Sequence, residues 1–180
     1  MMTAQIANGG FAVKPKIIVD SNPISYEDAK QSMESGLLFD TDSEELLDKR
    51  LFKNQRNIKI VQEAMFASTN ERFGTSYKSR IDDPKYQFAG KTGTAQVKKI
   101  TERDRELDLK TFQIPYEERD HALYIAYGPY KNPRYAISIL VEHGGNGSTT
   151  AAPMAKKLFK TIIDRHQLRE SINNKKYLDI

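Results

Sequence analysis

The sequence predicts an α+β fold: an antiparallel sheet with a C-terminal helix packed on one face. Two observations predict it. Three strand-like runs, residues 86–98, 121–128 and 134–142, fall together late in the chain. A long amphipathic run then extends from Thr149 to about His166. Strands gathered ahead of one final helix make a sheet-and-helix layer rather than alternating βαβ units.

The elements follow in order. Residues 2–8 read as a helix stopped by Gly9-Gly10, because glycine past a helix end takes the left-handed conformation without a Cβ clash. A helix that starts at the first methionine with no capping residue ahead of it leads us to expect upstream sequence. Residues 11–19 read as extended, with Pro15 arguing against a central strand. Residues 20–54 are an acidic excursion, expected to be solvated and to hold one or two short helices. Over residues 20–48, Asp20, Glu27, Asp28, Glu34, Asp40, Asp42, Glu44, Glu45 and Asp48 stand against Lys30 alone. Over residues 55–69, Ile58, Val61, Ala64 and Met65 recur at helical spacing and predict one core-facing stripe.

Residues 70–85 are turn-rich, with Gly74 and Asp82-Asp83-Pro84. Residues 99–119 are a charged connection between strands. Pro129 to Pro133 turn the chain between two strands, which should form a hairpin. His143-Gly144-Gly145-Asn146-Gly147-Ser148 is a glycine loop. Pro153 fits the first turn of the final helix. Ala155, Leu158, Phe159, Ile162 and Ile163 form its expected buried stripe. Residues 169–180 read as a polar tail that frays, so the globular part is expected to be residues 1–168.

Composition narrows the function. The chain has 180 residues, 38% of them hydrophobic and 29% charged, enough for a core without disulfides. There is no cysteine, which removes disulfides, zinc–thiolate sites and a thiol nucleophile. The net charge is +4, but acids interrupt the Lys and Arg residues throughout, so no nucleic-acid partner is expected. No run is apolar and long enough for a membrane span, and the N-terminus lacks the pattern of a signal peptide. His121, His143 and His166 lack metal-ligand spacing, and no metal or cofactor is expected. The glycine loop ahead of the last helix lacks the lysine of a phosphate loop and reads as a structural turn.

Lys91-Thr92-Gly93-Thr94 carries the chemistry. On a strand, Thr92 and Thr94 lie two apart and share a face, where their hydroxyls can bind a carboxylate. Lys91 offers a cation. Gly93 leaves out a side chain where a ligand lies close to the backbone. An exposed strand N–H can serve as an oxyanion donor, and an extended peptide can add along such an edge.

K-T-G is one of three motifs of the penicillin-interacting serine enzymes. The chain resembles the C-terminal part of the transpeptidase domain of class B penicillin-binding proteins, nearest to the cell-elongation group, penicillin-binding protein 2. The resemblance rests on Ile6-Ala7-Asn8-Gly9-Gly10 with Pro15, Ala89-Gly90-Lys91-Thr92-Gly93-Thr94-Ala95-Gln96-Val97 and Asp120-His121-Ala122-Leu123. Ala126-Tyr127-Gly128-Pro129-Tyr130 and Val141-Glu142-His143-Gly144-Gly145 add to it.

The resemblance implies a partial serine β-lactamase-like fold. Its implied partners are D-Ala-D-Ala stem peptides, β-lactams and the cell-elongation machinery. It implies that Lys91 shapes the electrostatics of the site, and that Thr92 and Thr94 bind the terminal carboxylate. It also makes the Thr94 N–H half of the oxyanion hole, and Gln96 a continuation of the substrate-facing strand. It places the full-length family member at the periplasmic face of the inner membrane.

The family's nucleophile and base lie in S-x-x-K, and no serine of this chain has a lysine three positions on. S-x-N occurs as Ser68-Thr69-Asn70 and Ser171-Ile172-Asn173, neither in the family's place. Helix-end hydrogen bonding accounts for the first. The expectation is therefore a C-terminal transpeptidase fragment, inactive alone, whose missing half would otherwise cover apolar surface. Two alternatives stand beside it. One is a non-catalytic module that binds peptidoglycan peptides; the other is an unrelated α+β domain with a coincidental KTGT.

Overall fold

The computed structural model describes residues 1–13, 50–98 and 109–178, with side chains through residue 168. Residues 14–49 hold most of the predicted extended run and acidic excursion, and residues 99–108 hold half of the charged connection. Both lie outside the described residues. The chain forms two compact units, Met1–Val61 and Gln62–Ile180.

The first unit holds α1 (Met2–Ala7) and the opening turns of α2 (Gln55–Asn70). Gly9 and Gly10 end α1 with φ of 86° and 93°, which explains why glycine stands at both positions. Asn8 fixes the turn. Its Oδ1 accepts from the Gly10 and Phe11 N–H groups at 3.1 and 3.0 Å. Phe11 then pairs with Arg50 in an isolated bridge, and the guanidinium lies 5.3 Å from the Phe11 ring centre.

The second unit is a three-stranded antiparallel sheet in the order β1-β2-β3. The strands are β1 (Ala89–Ala95), β2 (His121–Gly128) and β3 (Tyr135–Val141). The predicted hairpin is present, with Tyr124 opposite Ile139. The predicted first strand is shorter than expected and stops at Ala95. Helix α3 (Ala151–Leu178) packs on the sheet, and its Ala151, Ala152, Ala155, Phe159 and Ile163 meet Phe88, Ala122, Tyr124 and Ala126. Phe159 stacks on Phe88 at 4.9 Å. Small residues on both surfaces let helix and sheet approach closely, and the aromatic pair fills the remaining space.

Three expectations need correction. Val61 and Ala64 are exposed, while Thr69 is fully buried in the α2 stripe. Leu158 is exposed too, because the stripe of α3 runs through Ala151, Ala155, Phe159 and Ile163 at strict intervals of four. The expected fraying tail is helical to Leu178. It contains no Gly or Pro, and Gln, Leu, Arg, Glu and Lys all favour helix.

Candidate functional site: the edge strand Lys91–Thr94

β1 pairs with β2 alone among the described residues, so its other edge is open. Register sets the faces. Gly90, Thr92 and Thr94 lie opposite Ala126, Tyr124 and Ala122, on the side that faces α3. Lys91, Gly93 and Ala95 alternate to the other side, opposite Ile125, Leu123 and His121. The two threonines therefore share a face, as the spacing predicts. Leu140 stands opposite Leu123 on the Lys91 side and is 58% exposed.

The five predicted site residues are in different surroundings. Lys91 is exposed, and its Nζ donates to the Thr92 carbonyl at 3.0 Å. It forms no ion pair with any described residue, which leaves its charge available to an anion. Thr94 is exposed. Thr92 is half-buried, and its hydroxyl lies 3.3 Å from that of Thr75. Gly93 is closely approached within the fold. A Cβ there would come within 3.3 Å of the Leu123 Cβ, and one on Gly147 would collide with the Leu123 and Gly93 carbonyls. Its missing side chain thus serves close packing as well as the openness the sequence predicts. Gln96 lies one residue past the end of β1 and is exposed.

Beneath the strand lies a hydroxyl network that sequence reasoning missed. The Tyr124 hydroxyl, on a fully buried side chain, lies 2.9 Å from Thr69 Oγ1 and 3.1 Å from Ser76 Oγ. Burial pushes the Tyr124 phenol up from its ordinary pKa, while its hydrogen bonds to Ser76 and Thr69 pull the other way. Gly90 has no side chain because a Cβ would collide with this same hydroxyl. A second chain of hydroxyls runs from Ser68 through Thr75, at 3.2 Å, to Thr92. Asn70 Nδ2 donates to the carbonyls of Phe66 and Phe88, each at 3.0 Å. The C-terminal turn of α2 is thereby tied to β1 and the residue before it. Ser68-Thr69-Asn70 acts as helix-end chemistry, as its sequence implies. No sequence signal links Thr75 to Thr92, because the contact depends on how the 71–80 turns fold back.

The histidines are structural. The His121 Nδ1 accepts the His143 backbone N–H at 2.9 Å, and the two rings meet edge to face at 4.8 Å. His143, at φ 52°, also contacts the Arg119 carbonyl through Nδ1 at 3.1 Å. Arg134 donates to His166. Asp83 Oδ1 accepts the Lys85 N–H at 3.0 Å, which is turn chemistry. The glycine loop is a turn as well. Asn146 Oδ1 accepts from the Ser148 N–H and hydroxyl at 2.8 Å, and the Thr150 N–H donates to the Asn146 carbonyl. Among the described residues, no group of three His, Asp or Glu side chains could hold a metal, and no helix is long and apolar enough to cross a membrane.

The chain is similar to known proteins. Residues 1–163 match the penicillin binding protein transpeptidase domain family. The chain is 38% identical over 105 residues to the peptidoglycan D,D-transpeptidase MrdA of Salmonella typhimurium, covering 58% of this chain and 16% of that protein. It is 36% identical over 101 residues to the Haemophilus influenzae MrdA, covering 56% of this chain and 15% of that protein. Among solved structures it resembles Pseudomonas aeruginosa PBP2 in complex with WCK 5153. The TM-score is 0.56 at 27% identity, over 86% of this chain and 26% of that one. The chain thus spans about a sixth of the length of the curated relatives it matches.

Proposed function

This chain belongs to the penicillin-binding-protein transpeptidase domain family, and from that premise we propose that it is the C-terminal part of a peptidoglycan D,D-transpeptidase of the cell-elongation group. The observation that carries this reading is the edge strand itself. Two same-face hydroxyls at Thr92 and Thr94 line an open strand edge as donors suited to a terminal carboxylate, and Lys91, on the other face of the same strand, adds a positive charge close by.

In this reading the D-Ala-D-Ala end of a stem peptide lies along β1. Thr92 and Thr94 donate to its carboxylate, and Lys91 raises the local positive potential. The Thr94 N–H is one donor to the oxyanion that forms as the peptide carbonyl is attacked. β-Lactams occupy the same place. The attacking serine and its lysine base come from residues outside these 180, since the chain contains no S-x-x-K. Alone it forms no acyl-enzyme. The exposed Leu140 beside Leu123 supports an incomplete apolar surface that the rest of the domain covers. The assembled enzyme works at the outer face of the inner membrane with the elongation machinery.

Co-expression with the S-x-x-K-bearing portion of the Salmonella relative, followed by fluorescent penicillin labelling, tests this. The serine-bearing portion should label only when this chain is present. Lys91→Ala and Thr92→Ala should each slow labelling by about tenfold or more, the scale expected on losing a charge-stabilising donor. Labelling that ignores this chain, or is absent with the unaltered pair, contradicts the reading.

A further inference from the structure

The turn after α2 folds directly against the end of that helix. Gly74 permits this, because a Cβ there would collide with the carbonyl oxygens of Ser68 and Ala67. The Gly74 N–H donates to the Glu71 carbonyl at 2.8 Å. Ser76 is buried and anchored twice, with its N–H and its hydroxyl each donating to the Ser68 carbonyl at 3.0 Å. Thr75 stands between these two fixed residues, so the backbone sets its place from both sides. Its own side chain is exposed. Water can satisfy an exposed hydroxyl, so the fold does not require Thr75 to find a protein partner. It nevertheless lies 3.2 Å from the Ser68 hydroxyl and 3.3 Å from that of Thr92, seventeen residues further along the chain.

Counting protons gives this contact a direction. Ser68, Thr75 and Thr92 each carry one hydroxyl proton and can accept through two lone pairs. Two contacts among three hydroxyls use two protons and leave one at an end of the row. With Ser68 donating to Thr75 and Thr75 donating to Thr92, the proton left over is that of Thr92. The reverse order uses the Thr92 proton and leaves that of Ser68. An ionised carboxylate only accepts, so its arrival at Thr92 selects the first order. Each donor in the row then polarises the next.

We propose that Thr75 is a positioning residue for carboxylate recognition. It holds the Thr92 oxygen by donating to it, and so leaves the Thr92 proton for the ligand. The proposal rests on the transpeptidase reading, in which Thr92 binds the terminal carboxylate. It adds a residue that lies outside the K-T-G strand and acts through Thr92 without touching the ligand.

Penicillin labelling of the pair formed with the serine-bearing portion of the Salmonella relative tests it. Thr75→Val keeps the side-chain shape and removes the hydroxyl, and should slow labelling about three- to tenfold, the scale of one neutral hydrogen bond. Thr75→Ser keeps the hydroxyl and should retain most of the rate. In a Thr92→Ala background, Thr75→Val should slow labelling no further, because the hydroxyl it orients is gone. A general loosening of the turn would instead slow labelling in both backgrounds. Absence of labelling by the unaltered pair is the failure of the transpeptidase reading, and this proposal falls with it. Where the unaltered pair labels, a parental rate in Thr75→Val or equal slowing by Thr75→Val in both backgrounds overturns the positioning role alone. A loss in Thr75→Ser as large as that in Thr75→Val does the same.

Discussion

The hydroxyl of Tyr124, at the centre of the sheet, lies 2.9 Å from that of Thr69, in the last turn of the helix ahead of the KTGT strand. Ser76 completes the cluster at 3.1 Å. A single phenol thus holds the helix end and the turn behind β1. Tyr124→Phe should lower stability by about 1–2 kcal/mol, since two buried hydroxyls lose a partner while the packing volume stays the same. Urea denaturation with an unchanged m-value is the measurement.

Tyr127 should behave in the opposite way. Its side chain is buried, but its hydroxyl has no partner among the described residues. Tyr127→Phe removes an unpaired polar group, so stability should stay the same or rise by up to about 1 kcal/mol. A loss as large as that for Tyr124→Phe would show that the Tyr127 hydroxyl has a partner.

Both phenols make the fold sensitive to alkali. Burial raises the pKa of Tyr124 and Tyr127, while an unfolded tyrosine titrates near about 10. The folded state then holds these protons more tightly than the unfolded state does. Their stabilising contribution is complete below the unfolded pKa and is lost as pH climbs from there toward the folded values. Unfolding free energy measured against pH should fall above about pH 10, and less steeply in the Tyr124→Phe/Tyr127→Phe double variant. Identical slopes would contradict the assignment.

Gly147 is held by close approach rather than by a special φ. A Cβ there meets the Leu123 and Gly93 carbonyls, which are backbone and cannot swing aside. Gly147→Ala should cost about 1–3 kcal/mol, the range for overpacking. It should also shift the amide resonances of Gly93 and Thr94. Shifts confined to the loop would separate the loop from the site.

Much of this arrangement is legible in the sequence where local chemistry decides it. The hairpin can be read because apolar runs end at Gly128-Pro129 and Glu142-His143. The Asn8-Gly9-Gly10 turn can be read because only glycine is at ease at those φ values. The motif strand can be read from Thr-Gly-Thr spacing. The rest depends on contacts between distant segments. Thr69 is buried although polar, because Tyr124, Ser76 and Gly90 converge on it. Val61 and Leu158 are apolar yet exposed, because spacing predicts a face and not what covers it. His121 and His143 meet only because the loop after β3 returns to the start of β2.

The central claim is that this chain supplies the carboxylate-binding wall of a transpeptidase site and not its nucleophile. The intact mass of the purified chain after incubation with benzylpenicillin tests it most directly. The account predicts no change in mass. A stable adduct of one penicillin would contradict it, and Ser68, whose hydroxyl reaches Thr92 through Thr75, would be the first residue to replace.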